Sequence, residues 1–310
     1  MNSSSQKTSI DWLRFRTQAN PLEAFEAIKP LFPQYAGLFN LKHQERGLMG
    51  FQQAALMCAS DFVIGRMDYG GDSQRGWVRV DIPGKACQHM MIDDLSSLEA
   101  LPATEVRRLD VALTTWDGEF THEQVVLAHA SGRFNCGGRT PDLRQITSSN
   151  LRAGRTCEVG KRANTLKFMR CYEKGFEMLS KLGRRADGWM SIEGHRVEDI
   201  YRCEVEFKAD DHTGISWDTI KRRDAYFAGA YPFCADVLPG VDGSRLVRNP
   251  DLDIQAALET SLANTRIQSG RILFTALAAY GGDYMAVWDK VVGTAHCPSL
   301  LEAGVLLVEH

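Results

Sequence analysis

The chain has no run of about 18 apolar residues, and its first residues, Met1 to Lys7, are polar. These absences predict neither a transmembrane helix nor a secretory signal, which places the protein in the cytoplasm. The eight cysteines include no Cys-x-x-Cys pair and the eight histidines no His-x-His pair. A zinc site of paired cysteines and a histidine-pair metal motif are therefore excluded, and the cysteines read as small core residues of a reducing compartment. The phosphate loop of ATPases is missing too, because Gly84-Lys85 lacks both the upstream glycine and a following Ser or Thr. No helicase or ATPase is predicted within the chain. Nor is there a basic excess: 36 Lys and Arg face 39 Asp and Glu, for a formal charge of −3.

The distribution of charge says more than its sum. Between Arg133 and Arg185 basic residues far outnumber acidic ones, so the acidic excess lies elsewhere and one region is suited to phosphates. With 310 residues, 44% of them hydrophobic, a packed core is well supplied. Ile10 to Arg16 alternates as a strand, and Asn20-Pro21 opens a helix whose Leu22, Phe25 and Ile28 share a face. Phe62 to Met67 and Trp77 to Ile82 read as a hairpin around a turn-rich stretch, and Thr121 to Gln124 is a capping box. Strands are predicted at Val106–Thr114, Thr156–Gly160, Phe168–Tyr172 and Tyr201–Lys208, the last three pairing antiparallel. Helices are predicted at Trp217–Phe227, Leu252–Ser269 and Ile272–Tyr280. The expected fold class is α+β, a twisted antiparallel sheet with flanking helices and a helical C-terminal part. Residues 1–235 form the main domain and 236–310 a helical segment packed on it.

Two constellations carry chemistry. If Phe168 to Lys174 is one strand, Arg170, Tyr172 and Lys174 share a face, and a phenol between two cations is easier to deprotonate. Alternation in Tyr201–Lys208 likewise puts Arg202, Glu204, Glu206 and Lys208 on one face, with Asp110 on the polar face of another strand. Adjacent carboxylates repel unless something cationic compensates them. Cross-strand Arg or Lys would do so, and so would Mg²⁺ or Mn²⁺ in an all-oxygen site of Asp110, Glu204 and Glu206.

These segments, taken in order, are similar to the trans-acting replication initiation proteins (Rep_trans) of rolling-circle plasmids and filamentous phages, the phage type above all. The resemblance runs through Ile10-Asp-Trp-Leu13, Ile82-Pro-Gly-Lys-Ala-Cys87, Arg108-Leu-Asp-Val-Ala112, Arg170-Cys-Tyr-Glu-Lys-Gly175, Tyr201-Arg-Cys-Glu204 and Tyr226-Phe-Ala-Gly-Ala-Tyr-Pro232. It implies a metal-dependent nickase and strand transferase in which Tyr172 attacks the origin, becomes linked to the 5′ end and frees a 3′-hydroxyl, assisted by Lys174 and Arg170. It also implies a cation on Asp110 and Glu204; Thr114 stands where the family often has a further acid, a place that either Asp117 or Glu206 would fill. Arg155, Lys161, Arg162 and Lys167 would hold flanking backbone, and Trp77 and Phe168 would stack on exposed bases. The implied partners are origin DNA, duplex and single-stranded or hairpin, together with a host helicase, a host polymerase and a second copy of the chain in a bacterial cytoplasm. A competing reading is a non-catalytic origin-binding protein of the same fold; others are a water-activating phosphodiesterase and a protein-interaction domain. Tyr201 is the alternative nucleophile, although alternation turns it away from Glu204.

Overall fold

The computed structural model describes residues 6–150, 153–163, 165–182, 191–210, 213–247 and 250–302. Part of the basic stretch Lys181 to Gly188 therefore lies outside the described residues. The chain divides into two compact units, one of residues 1–209 and 214–246, the other of residues 210–213 and 247–310.

The first unit begins with strand β1 (Ser9–Thr17) and helix α1 (Pro21–Ile28), the latter capped reciprocally by Asn20 and Glu23. Ala24, Phe25 and Ile28 are buried there, but Leu22 is exposed, contrary to expectation. Strands β2 (Phe39–Gln44), β3 (Gln53–Ala59), β4 (Phe62–Tyr69) and β5 (Val78–Pro83) lead to short helices α2 (Gly84–Cys87) and α3 (Ser96–Glu99). Then come β6 (Glu105–Thr115), α4 (His122–Ala130) behind its Thr121–Gln124 capping box, β7 (Leu143–Ile146), β8 (Thr156–Val159) and β9 (Lys167–Tyr172). Helix α5 (Lys174–Lys181), a two-residue pair β10 (Ser191–Ile192) and β11 (His195–Arg196), and strand β12 (Tyr201–Lys208) follow. Helices α6 (Trp217–Lys221), α7 (Arg223–Ala230) and α8 (Pro232–Val237) close this unit, which runs past residue 235 to Leu246.

Ten strands form one sheet in the order β2-β3-β4-β5-β1-β6-β12-β9-β8-β7, with antiparallel neighbours throughout. This is the expected α+β class. Alternation gives the sheet two unlike faces. Leu13, Phe15, Val80, Leu109, Val111, Met169, Val205 and Phe207 belong to the core, into which Phe25, Ile220, Phe227 and Phe233 also pack. Cys157, Cys171 and Cys203 are buried and free, as their strand positions predicted. The other face carries charge.

The second unit contains helices α9 (Pro250–Ala279), α10 (Tyr284–Val291) and α11 (Pro298–Glu302). Here two expected helices are one, because Gly270 sits within a continuous α9. Gly281 and Gly282, both at positive φ, make the turn into α10, whose first turn is capped by Asp283. Among the described residues no helix is long and apolar enough to cross a membrane.

Candidate active site on the polar sheet face

The register of the central strands assembles the site. On β12 and β9, Arg202 pairs with Tyr172, Glu204 with Arg170 and Glu206 with Phe168, while on β6 Arg202 pairs with Thr114 and Glu206 with Asp110. Side chains of the same parity share the polar face, so Tyr172, Arg170, Arg202, Glu204, Glu206 and Asp110 form one continuous array.

Tyr172 lines a polar cleft of about 890 Å³ together with Arg155, Arg170, Arg202, Asp11 and Lys85. The ring is nearly buried, at 8% exposure, with the Arg170 guanidinium 5.1 Å and the Lys174 ammonium 5.5 Å from its centroid. Burial pushes the phenol pKa well above its ordinary value; Arg202 opposes this, while Glu204, Glu177 and Asp11 add to it. The expectation of an easily ionised phenol is thus reversed, because desolvation and three carboxylates outweigh the flanking cations. Among the described residues no group hydrogen-bonds the Tyr172 hydroxyl.

Lys174 reaches the cleft differently from the expectation. The strand ends at Tyr172, and Lys174 is the first residue of α5. Its Nζ binds Glu177 at 2.9 Å, and burial together with Arg202 lowers its pKa. Although burial works the other way, Lys181 and Lys174 hold the Glu177 carboxyl down at about 2. The start of α5 is fixed by contact with the backbone: the Gly175 amide donates to the Ile200 carbonyl at 3.1 Å, and a Cβ on Gly175 would lie 2.0 Å from the Val197 carbonyl oxygen. Only glycine fits there.

The carboxylates are compensated by arginine and lysine. Arg108 donates to both oxygens of Asp110, at 2.8 and 2.5 Å, and also pairs with Glu206 at 2.9 Å. Glu206 pairs further with Arg162 and Lys208, each at 2.9 Å, and Arg170 Nη2 reaches both Glu204 oxygens at 2.9 Å. Burial pushes Asp110 up to about 7, the Arg108 charge opposing and Glu204 and Glu206 adding. Burial tends to raise Glu206 as well, but Lys208, Arg108 and Arg162 leave it below its usual value. Among the described residues no group of three or more His, Cys, Asp or Glu side chains is arranged to hold a metal ion. Asp110 and Glu206 are cross-strand neighbours, yet their oxygens are taken by guanidinium and ammonium, so this arrangement does not fit a cation. Thr114 accepts a hydrogen bond from Arg202 Nε at 2.8 Å instead of supplying a carboxylate.

The four expected DNA-contacting cations are not gathered in one place. Arg155 lines the Tyr172 cleft, tied to Glu173 at 2.7 Å and to Glu123. Arg162 lies further along the same face, beside Glu206. Lys161 and Lys167 line another cavity, and Lys167 is turned to the opposite side of β9, where its Nζ contacts Cys136 Sγ at 3.1 Å and the Ala230 carbonyl and lies 4.2 Å from the Tyr231 ring centroid. Phe168 is buried beneath Arg162 and cannot stack on a base. Tyr201 faces the core at 2% exposure, with its hydroxyl lacking a partner among the described residues. Sequence reading missed Asp11, which binds Arg202 at 2.9 Å. A bulge between Ile10 and Trp12 brings it to the polar face, where simple alternation would have sent it inward.

Residues 104–244, from β6 to the end of the first unit, match the replication initiation factor family, Rep_trans. Over that stretch, somewhat less than half of the chain, the sequence is similar to that family. The match contains Asp110, Arg170, Tyr172, Lys174, Glu204 and Glu206. The chain is also similar to a solved rolling circle replication initiator protein from Geobacillus stearothermophilus, at 19% identity over 66% of this chain and 76% of that one, with a TM-score of 0.48. No curated protein matches it.

Proposed function

We propose that the protein is a rolling-circle replication initiator, cytoplasmic in a bacterial host, that nicks one origin strand with Tyr172 and later rejoins the ends. The observation that carries this reading is the Tyr172 hydroxyl, free of hydrogen bonds from the described residues, in a cleft lined by Arg155, Arg170 and Arg202. A tyrosine kept for packing alone would not need such a setting.

In the step proposed, Tyr172 Oη forms a bond to phosphorus while the bond from phosphorus to the 3′-oxygen breaks. The phenolic proton leaves to solvent as the bond forms and the departing 3′-oxygen takes up a proton, while the Lys174 ammonium, 5.5 Å from the Tyr172 ring centroid and paired with Glu177, adds positive charge beside the reacting phosphate. Arg170 and Arg202 offset the charge that builds on the equatorial oxygens. Reversal rejoins the strand without ATP, since the phosphotyrosyl bond retains the energy of the broken phosphodiester. Mg²⁺ or Mn²⁺ would add Lewis-acid polarisation of the phosphate. Asp110, Glu204 and Glu206 are committed to cations of the chain itself, so no step here passes through a metal. The same commitment favours one rival, a non-catalytic origin-binding protein that uses the face as an anionic-backbone receptor.

Supercoiled DNA bearing the protein's own origin separates the readings on a denaturing gel, run with Mg²⁺, Mn²⁺ or EDTA. Nicking by the wild type and none by Tyr172→Phe is expected. Salt-sensitive binding without nicking would instead establish the non-catalytic protein.

A further inference from the structure

A second cavity opens on the same sheet face, about 540 Å³ in volume, within the size range of ligand sites. Strand β12 links the two, because Arg202 lines the Tyr172 cleft and Lys208 lines this one. Six residues of strand separate them, about 20 Å. The lining holds seven Lys or Arg side chains and one carboxylate, that of Glu206. Behind it stand the carboxylates of Asp68, Asp81, Glu105 and Asp110, which pair with the lining cations. With Arg66, which also pairs with Asp68, eight cations less five carboxylates leave an excess of three positive charges, suited to one or two phosphates.

The carboxylates do more than neutralise. Asp110 and Glu206, each nearly buried, hold the Arg108 and Arg162 guanidiniums, which remain 15% and 52% exposed. Their donors are thus set in place before a ligand arrives. Aromatic surface lies beside the charge: the Arg16 guanidinium sits 4.0 Å from the Trp77 ring centroid, and Phe51 and Met49 complete an apolar wall. Cations fixed beside flat aromatic surface are what a single strand requires, phosphate on one and base on the other. Most of this wall comes from residues before 104, outside the stretch that matches the replication initiation factor family.

We infer that this cavity binds single-stranded DNA flanking the scissile phosphate, so that a strand seated at Tyr172 continues a few nucleotides along β12 to Trp77 and Arg162. The inference rests on the nicking reading but is tested by binding. Full-length Tyr172→Phe protein, which cannot cleave, is titrated with fluorescein-labelled oligothymidylates of about 4 and about 16 nucleotides, the span of single-strand site sizes. The longer probe should bind more tightly, and Arg16→Ala with Trp77→Ala should erase that advantage by at least about fivefold, the lower bound for one lost base stack. An iodouracil-substituted long probe should photocrosslink to Trp77, which reads the site without any substitution. An undiminished length advantage in a folded double variant, with crosslinks elsewhere, overturns the inference while origin nicking by the wild type leaves the nickase intact. Absence of both oligothymidylate binding and origin nicking in the wild type overturns both.

Discussion

Around Tyr172, at the β9 side of the polar sheet face, cations surround a hydroxyl that no described group binds. Around Asp110 and Glu206, nearer the centre, each carboxylate is already held by arginine or lysine. Both regions are built by the same alternation on neighbouring strands, yet one leaves a hydroxyl open to a reacting atom and the other leaves no carboxylate unpaired. The contrast teaches that paired charge on a sheet face can hold a ligand but does not by itself make a reacting centre; an uncommitted group among fixed charges does. The paired region then serves as a rigid electrostatic floor, and the open region as the place where bonds change.

The largest effect expected is at the wedge that fixes the open region. Gly175→Ala forces a Cβ into the Val197 carbonyl and should cost about 4 kcal/mol or more, or prevent folding, as read by denaturant titration. A stable, fully active Gly175→Ala protein would show that α5 does not depend on that contact. Next is the paired region: Arg108→Ala leaves Asp110 and Glu206 buried with fewer partners, and a loss of about 3 to 5 kcal/mol is expected. Added Mg²⁺ or Mn²⁺ that restores the melting temperature of this variant would show that a cation can take the arginine's place.

The two tyrosines sharpen the comparison at smaller scale. Tyr201→Phe removes a buried hydroxyl without a partner among the described residues and should raise stability by about 1 kcal/mol. Tyr172→Phe should leave the melting temperature unchanged while removing activity. Smallest is a pH effect. Because the folded state depresses the Glu177 pKa, its contribution is present above about pH 4.5 and is lost as pH falls towards about 2. Glu177→Gln should therefore flatten the stability profile across that window, as followed by thermal melts at about pH 5 and about pH 3.

Much of this arrangement was legible in the residue order. The polar faces of β6, β9 and β12 follow from strict alternation, which brought Asp110, Arg170, Tyr172, Glu204 and Glu206 together on one side. What alternation cannot show is a break in its own rule. The β1 bulge moved Asp11 outward, and the end of β9 at Tyr172 turned Lys174 from a strand residue into the first residue of a helix. Strand β3 escaped notice because Gln53-Ala-Ala-Leu-Met-Cys-Ala59 is made largely of helix formers, and pairing with β2 and β4 overrides that preference. Nor could the order decide how the carboxylates are compensated, since arginine and metal satisfy the same pattern.

The most direct test of the central claim is the chemical identity of the DNA-linked residue. Wild-type protein is reacted with its origin, the DNA is digested, and tryptic peptides are weighed by mass spectrometry. The account predicts a nucleotide attached to the peptide Cys171–Lys174, on Tyr172. Nicked DNA with that peptide unmodified, or an adduct on another tyrosine, would contradict it.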